Sequence, residues 1–180
     1  MSPPVLVIVG KQHKNYFQTD VGYKVQEELM EFLQKEQWDN TIHQQSKYYY
    51  WNDLKYIIPV NKHANHKCKK DKIHSYKLYT SNTNDLKVCN FQEIVLPLDI
   101  FPPINEYHDM RLVSRTVLIK KDYKIELLSI THQNNNVTYE IQLHGNYEKM
   151  EKVIKFLCKR LREKEDVKLH HPGRFVMSCL

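Results

Sequence analysis

Polar residues that could do chemistry alternate with apolar ones over residues 122–131 and 137–144. Side chains on a β-strand point to opposite faces with a period of two. Glu140, Gln142 and His144 therefore share one face, and apolar residues occupy the other. A strand face that carries an acid, an amide and an imidazole is either wet or lines a polar cavity. The cavity alternative is the one that would give this protein a chemistry of its own.

The elements that must position these residues are mostly strands. Residues 5–9 form a continuous β-branched run that ends at Gly10, which is typical of a buried strand. Further strands are predicted over residues 47–51, 55–60, 67–79, 86–98, 110–119, 122–131 and 137–144. Very short connections join the last three, so they should form an antiparallel meander.

Two helices are predicted to flank these strands. The first follows Asp20, a plausible N-cap, and carries apolar residues at helical spacing over residues 21–33. The second spans about residues 147–162, with Asn146 as its predicted cap, and an apolar stripe that includes Val153, Ile154 and Leu157 should pack it on a sheet. This second helix is basic and amphipathic, so it could instead lie on a membrane or a partner protein. Packing on a sheet is the favoured interpretation.

The composition predicts a single domain over residues 1–180. The chain is 41% hydrophobic and 27% charged, which favours a folded globule, and its net charge of +6 favours anionic partners. Residues 1–4 lack a charged n-region, and the apolar run 5–9 is too short to span a bilayer. We therefore expect a soluble, intracellular protein without a membrane partner.

The chain has four cysteines, at positions 68, 89, 158 and 179, and no two of them form a Cys-x-x-Cys motif. Neither a disulfide framework nor a zinc ribbon is indicated. His63, His66 and Cys68, with Cys89 as a fourth ligand, could hold a metal, but a solvated polar segment explains them better. No Ser-His-Asp signature, phosphate-binding glycine loop or nucleotide fingerprint occurs, which excludes those enzyme classes.

Three stretches, in this order and spacing, resemble the tunnel-fold RNA 5′-triphosphatases, the β subunits of fungal-type mRNA capping enzymes. Residues 68–93 look like the family's Lys-rich strand, short loop and following strand with a Glu. Residues 111–131 are similar to its Arg-x-Lys-x-Arg strand and the next strand. Residues 137–145 and the helix after them resemble its Glu-x-Glu-x-Glu strand and terminal helix. The likeness covers nearly the whole chain, although no motif is intact.

The resemblance implies a mainly β (α+β) fold: a closed antiparallel eight-stranded tunnel-like β-barrel with flanking helices. Its lumen would hold a triphosphate and a divalent metal, Mg²⁺ or Mn²⁺. Removing a γ-phosphate in this way needs carboxylates on the metal, a carboxylate that places the water, and Arg or Lys on the phosphate oxygens. Oxygen ligands on alternate strand positions suit these hard cations.

The basic half of such a site is partly present. The two arginines of the Arg-x-Lys-x-Arg strand match Arg111 and Arg115, although Val113 replaces the central lysine. The strand lysine matches Lys69 or Lys70. Lys87 stands where the family has an arginine, and Lys55 aligns with an earlier one. The resemblance assigns these positions to phosphate binding, although each could instead be a surface charge.

The acidic half is mostly missing. In the final strand only Glu140 matches, while Gln142 and His144 stand at the other two acid positions, and residues 5–9 contain no acid. Glu126 falls where the family has an Asp, and Glu93 matches its mid-chain Glu. If catalysis survives, the resemblance assigns it to Glu140, Glu126 and Glu93, with Glu140 on the metal. A neutral amide and an imidazole are poor Mg²⁺ ligands, so the metal site looks dismantled.

Three functions remain open. The first is a divergent RNA 5′-triphosphatase that binds triphosphate-ended RNA or nucleoside triphosphate and is weakly active or inactive. The second is a non-catalytic scaffold subunit of a capping or transcription complex, in the manner of the tunnel-shaped Mediator head subunits. The third is a small basic β-barrel that binds RNA, with Tyr48, Tyr49, Tyr50 and Trp51 as a stacking platform. Family analogy favours the nucleus as its location.

Overall fold

The computed structural model describes residues 3–51, 53–61, 65–80, 85–97, 109–164 and 176–179. The strands within these residues are β1 (Val5–Gln12), β2 (Phe17–Gln18), β3 (Asn40–Trp51), β4 (Leu54–Pro59), β5 (Lys67–Thr80), β6 (Asp85–Leu96), β7 (Asp109–Ile119), β8 (Tyr123–Thr131), β9 (Val137–Gly145) and β10 (Val176–Cys179). The helices are α1 (Tyr23–Leu33) and α2 (Glu151–Lys164), and a 3₁₀ turn (Glu148–Met150) precedes α2.

Eight of the strands close into a barrel. Going round it, the order is β1, β6, β5, β4, β3, β7, β8 and β9, each strand antiparallel to the next, and β9 returns to β1. The predicted closed antiparallel eight-stranded barrel is confirmed. Two short strands are not members of the ring: β2 pairs with the end of β1, and β10 pairs with β5.

Strand alternation divides the barrel residues into an outer and a lumen-facing set. On β1, β8 and β9 the outer set is apolar and includes Val7, Val9, Ile125, Ile141 and Leu143, all buried. Both helices pack there by their apolar stripes, α1 through residues such as Leu29 and α2 through Val153, Ile154 and Leu157. The main core therefore lies between helices and barrel wall, which leaves the lumen free for polar side chains. The predicted packing of the second helix is confirmed.

The two predicted helix caps fare differently. Tyr147 takes the N-cap position of the 3₁₀ turn, and the side chain of Asn146 caps that turn from one residue earlier, because its Oδ1 accepts a hydrogen bond from the Glu148 amide at 3.0 Å. The prediction for Asp20 is wrong, because Gly22 takes the N-cap position of α1 without a side-chain bond. Asp20 Oδ1 instead accepts from the amides of Gly22 and Tyr139, each at 3.0 Å. The carboxylate thereby ties the start of α1 to β9.

The strand bounds differ most from prediction at β3. This strand begins at Asn40, seven residues before the predicted start, and pairs with β7 from Asn40 to Tyr50. The early part of β3 is polar and mostly exposed, so it carries little of the alternation that marks a strand.

No helix among the described residues has the length and apolarity needed to cross a membrane.

Candidate functional site

One end of the barrel lumen contains a cavity of about 290 Å³, which we call the chamber. All eight barrel strands contribute to its wall, so it is enclosed by the ring itself. Its lining residues are Leu6, Ile8, Gln44, Tyr48, Lys55, Ile57, Pro59, Asn65, Lys67, Lys69, Asp71, Ile73, Phe91, Glu93, Arg115, Lys124, Glu126, Gln142 and His144.

The chamber carries more positive than negative charge. Five of its lining residues are Lys or Arg and three are Asp or Glu, which gives a net charge of +2 with His144 neutral. Burial lowers the pKa of His144 below its usual value, and repulsion from Lys124 lowers it further. The imidazole is therefore uncharged at pH 7, and the surplus charge comes from lysine and arginine.

Glu126 is the most heavily used acid of the chamber. Its carboxylate accepts hydrogen bonds from Arg115 Nε at 3.3 Å and Nη2 at 3.1 Å, and it lies 3.2 Å from Lys124 Nζ. Arg115 Nη1 also donates to Gln44 Oε1 at 3.2 Å. Burial alone would raise the pKa of Glu126, but Arg115 and Lys124 outweigh it and hold that pKa below its usual range.

The other two acids are also paired with lysines. Lys69 Nζ lies 2.6 Å from Glu93 Oε1, and Lys55 Nζ lies 2.7 Å from Asp71 Oδ2. Burial opposes ionisation of Glu93, but the bond from Lys69 prevails and the pKa of Glu93 is lowered. Lys67 forms no ion pair with a described residue, so it is the cation most available to a ligand.

At the far end of the lumen β2 lies against the end of β1, and we call this region the closed end. Gly10 follows Leu6 and Ile8 at alternate positions of β1, so its missing side chain would point into the lumen. A Cβ atom there would collide with the Gln18 carbonyl oxygen and approach the Phe17 ring to 2.6 Å. Gln18 and the Phe17 ring of β2 therefore lie against the lumen side of Gly10. Because only glycine leaves room for them, Gly10 allows this closure.

Glu140 belongs to this closed end. It shares the lumen-facing side of β9 with Gln142 and His144, but it does not line the chamber. Its Oε2 accepts a hydrogen bond from Thr19 Oγ1 at 2.9 Å, from the segment that crosses the barrel end. The carboxylate thus anchors the closing segment.

Two further predicted phosphate ligands lie toward the closed end. Arg111 donates to Asp109 Oδ2 at 2.7 Å, and its guanidinium lies 4.7 Å from the centroid of the Tyr50 ring. Lys87 Nζ lies 4.4 Å from the centroid of the Tyr76 ring, and the Phe17 ring is also near. Both cations therefore have aromatic partners, and Lys87 also lies near Phe17 of β2.

An apolar cluster lies on the lumen side of β7 and β8, next to the chamber. Val113, Leu128 and Ile130 are buried together, and Tyr48 packs against them. Val113 stands between Arg111 and Arg115 on β7, where the resembled family has a lysine. At this lumen position the valine makes a packing contact and carries no charge.

The predicted site residues are thus divided among three places. The chamber contains Lys69, Glu93, Arg115, Glu126, Gln142 and His144. The closed end contains Lys87, Arg111 and Glu140. Lys70 lies on the outside of β5, where its Nζ pairs with Asp53 Oδ2 at 2.8 Å, so of the two candidate lysines only Lys69 lines the chamber.

The donor set of the chamber does not fit the divalent metal that the resemblance implies. Asp71, Glu93 and Glu126 are each occupied by a lysine or arginine, and Glu140 lies at the closed end. In the part of the chain that the structure describes, no three His, Cys, Asp or Glu residues are placed to hold a metal ion. A hard cation would have to compete with positive side chains for every carboxylate.

Two weaker hypotheses gain no support from the described residues. His63, one proposed zinc ligand, falls outside the described residues, while His66 Nδ1 lies 3.1 Å from the Tyr56 hydroxyl and Cys68 and Cys89 are buried free thiols. The aromatic run of residues 48–51 offers no exposed ring, since Tyr49 is buried and the other three are partly buried. It therefore forms no stacking platform.

Sequence reasoning missed several chamber residues. Lys67, Lys69 and Asp71 occupy alternate positions of β5, and Lys124 and Glu126 do the same on β8. The period of two was visible on both strands and could have placed all five on the lumen side. Matching single positions to a family motif selected only Lys69 and Glu126 from this set.

Comparison with known proteins identifies the fold. No protein-family model and no curated sequence matches the chain. The S. pombe Pct1 RNA triphosphatase aligns at a TM-score of 0.65 and 12% identity over 90% of this chain and 79% of that one. The structure of Pct1 in complex with the Spt5 CTD aligns at a TM-score of 0.61 and 13% identity, over 91% of this chain and 80% of that one. The chain therefore has the tunnel fold of an RNA triphosphatase, as the resemblance predicted.

A third structure, a putative adenylate cyclase from Bacillus halodurans, aligns at a TM-score of 0.46 and 15% identity, over 85% of this chain and 91% of that one. A score at this level carries no argument. The identities to the S. pombe enzyme are too low to transfer an activity, so the function has to be argued from the chamber itself.

Proposed function

We propose that this protein binds the triphosphate end of RNA, or of a nucleoside triphosphate, in the chamber, and that metal-dependent hydrolysis is weak or absent. The observation that carries the proposal is the surplus of two positive charges inside a closed ring that has the tunnel fold of an RNA triphosphatase. Low-dielectric walls around like charges concentrate the field and attract anions.

Binding would use the lysine and arginine side chains directly. Lys67 is without an ion-pair partner among the described residues, and Lys69, Arg115 and Lys124 converge on the same cavity. Charge-assisted hydrogen bonds from such groups to phosphate oxygens are roughly twice as strong as neutral ones. Arg115 can donate two parallel hydrogen bonds to a phosphate, but its Nε and Nη2 now donate to Glu126, so a phosphate would have to take the place of that carboxylate.

Hydrolysis lacks support from the same residues. A general base works best when its pKa lies near the working pH. The pKa values of Glu93 and Glu126 are lowered by Lys69 and Arg115, which makes both carboxylates weaker bases. Glu140, the acid that the resemblance places on the metal, is bonded to Thr19 outside the chamber. We therefore expect the protein to bind phosphate but to hydrolyse it weakly or not at all.

Adjacent lysines on β5 offer a matched test. Lys69 lines the chamber and Lys70 lies outside, so Lys69→Ala and Lys70→Ala remove the same charge from neighbouring positions. Measured by fluorescence anisotropy with triphosphate-ended RNA, Lys69→Ala should weaken binding about tenfold, which corresponds to about 1.4 kcal/mol. Lys70→Ala should change it less than about twofold, because an exposed ion pair contributes little. Equal losses in the two variants would show that surface charge explains the binding.

A second candidate is a scaffold subunit of a capping or transcription complex. Two observations favour it: the S. pombe Pct1 enzyme was solved with the Spt5 CTD, and an outer groove of about 200 Å³ is lined largely by uncharged residues around the exposed Leu112. In this case Leu112→Asp would abolish assembly with a transcription subunit and leave phosphate binding unchanged. If the unmodified protein does not bind triphosphate, the scaffold function becomes the preferred candidate.

A further inference from the structure

The turn between β1 and β2 holds an ordered pair of aromatic rings. We call residues 11–18, which form this turn and its two base pairs of strand residues, the β1–β2 hairpin. The rings of His13 and Tyr16 stack with their centroids 4.7 Å apart and their planes inclined by 20°. The His13 amide donates to the Tyr16 carbonyl oxygen at 2.8 Å, and His13 Nε2 lies 2.9 Å from Gln18 Oε1. Gln12 Nε2 donates to the carbonyl oxygens of both ring residues. The ring pair is therefore fixed to the end of the barrel wall.

Tyr16 keeps most of its ring in water although the ring is held in place. Its side of the hairpin is open, and the residue is 60% exposed. Stacking on His13 uses one face of the ring and leaves the rest of its surface to a ligand. Because the ring is already ordered, a ligand that stacks on it loses little further conformational entropy from the protein. Every base of a nucleic acid has a π-face, and exposed aromatic rings are the usual platform for single strands.

The charge of the hairpin also suits a nucleic-acid strand. Residues 11–18 contain Lys11 and Lys14 and no acid. Lys14 is exposed and takes part in no ion pair among the described residues. The carboxylate of Asp85 does contact the hairpin, where it accepts a hydrogen bond from the Gln12 amide, but Asp85 is only 2% exposed. The surface that a strand would meet is therefore basic, and lysines beside a stacking ring bind the phosphates that flank a stacked base.

We propose that the β1–β2 hairpin is a separate site for single-stranded nucleic acid, in which a base stacks on Tyr16 and Lys14 contacts a neighbouring phosphate. The site binds internal nucleotides, so it needs neither a triphosphate nor any other 5′-phosphate on the strand. Stacking and phosphate contacts do not read the 2′-hydroxyl, so the ligand class includes RNA and DNA. The inference does not depend on the proposed function of the chamber.

Two equally exposed tyrosines provide a matched test. Tyr16 is 60% exposed and Tyr23 is 58% exposed. Tyr23 lies outside the hairpin at the start of α1, its ring contacts Tyr139 edge-on at 5.4 Å, and Glu27 and Glu28 follow it on the helix. Only Tyr16 therefore combines an exposed ring with a basic surface.

Binding is measured by fluorescence anisotropy with a labelled 5′-hydroxyl oligouridine of about ten nucleotides. Tyr16→Ala should weaken binding about tenfold, because it removes the stacking ring. Tyr16→Phe should stay within about twofold, since the ring and not the hydroxyl stacks. Tyr23→Ala should also change the affinity less than about twofold. The turn survives these substitutions at position 16, because the backbone of Tyr16 and not its side chain accepts the hydrogen bonds.

A salt titration tests the lysine contact. Lys14→Ala should weaken binding and reduce the slope of log affinity against log salt concentration by about 0.7, the value for one phosphate contact on a single strand. Lys24→Ala removes an equally exposed lysine outside the hairpin and should leave the slope unchanged. Equal changes of slope in the two variants would show that the charge of the whole surface attracts the strand and would overturn the assignment.

Competition separates this site from the chamber. Saturating tripolyphosphate at constant ionic strength should not displace the oligouridine, and Lys69→Ala should not weaken its binding. Displacement, absence of oligouridine binding, or equal losses in Tyr16→Ala and Tyr23→Ala would each overturn the inference. An oligoglutamate peptide of equal charge that binds as tightly as the oligouridine would overturn it too, because charge alone would then explain the binding. If tripolyphosphate does not bind while Tyr16→Ala still weakens oligouridine binding, the chamber proposal fails and the hairpin site stands.

Discussion

The chamber and the closed end are built from the same strands, yet their polar residues do different work. Arg115 lines the chamber, and Arg111, four residues earlier on β7, lies against Tyr50 and Asp109 beyond an apolar cluster. Likewise Glu126 faces the cavity, whereas Glu140 is bonded to Thr19. Strand alternation identifies which side chains face the lumen. Contacts from other segments, such as the Thr19 bond to Glu140, decide which of these side chains a ligand can reach.

Gly10→Val should produce the largest effect, because it breaks the closure. A side chain there would collide with the Gln18 carbonyl and the Phe17 ring. We expect a loss of about 2 to 3 kcal/mol in the free energy of unfolding, measured by urea denaturation, as for other overpacked sites. Ile8→Val, two residues earlier and facing the open chamber, should cost at most about 1.5 kcal/mol. Equal losses would mean that the crossing of β2 does not constrain position 10.

Removing one acid from each region sharpens the comparison. Glu126→Gln raises the net charge of the chamber from +2 to +3 and releases Arg115 and Lys124. Its affinity for tripolyphosphate should rise about fivefold, or about 1 kcal/mol. Glu140→Gln removes the same charge at the closed end and should alter affinity less than about twofold. A larger effect from Glu140→Gln in calorimetry would place the binding site at the other end of the lumen.

The smallest effect concerns pH. Since burial and Lys124 lower the pKa of His144 below 6.5, its imidazole is neutral at pH 7 and gains a proton only in more acidic solution. Glu93 and Glu126 stay ionised over this range because their pKa values are lowered too. Protonation of His144 should therefore raise anion affinity about threefold between pH 7.5 and 5.5, relative to a protein without this imidazole.

His144→Gln is the control for this pH effect. The charge of the ligand changes equally for both proteins, so the ratio of their affinities isolates the imidazole. Stability should change in the opposite direction: the unfolded chain binds the proton more readily, so the contribution of His144 to stability is present above about pH 6.5 and is lost as pH falls. A ratio that is constant from pH 7.5 to 5.5 would show that His144 does not titrate beside the anion.

The sequence predicts the barrel well because period-two alternation is a property of each strand. It places Gln142, His144 and Glu126 on lumen-facing positions, and the apolar stripe of α2 predicts the outer core. The closure could not be predicted, because β2 has only two residues and shows no periodicity. Nor could the pairing of Lys69 with Glu93, since contacts across strands depend on register, which the sequence alone does not fix.

The most direct test of the account is calorimetric binding of tripolyphosphate in EDTA and again with Mg²⁺ or Mn²⁺, with phosphate release followed in parallel. We predict binding in EDTA at an affinity that the metals leave within about threefold, because lysine and arginine supply the contacts. We expect little or no release of phosphate. Binding that requires a metal, together with phosphate release that Glu140→Ala abolishes, would contradict the account and make Glu140 a metal ligand.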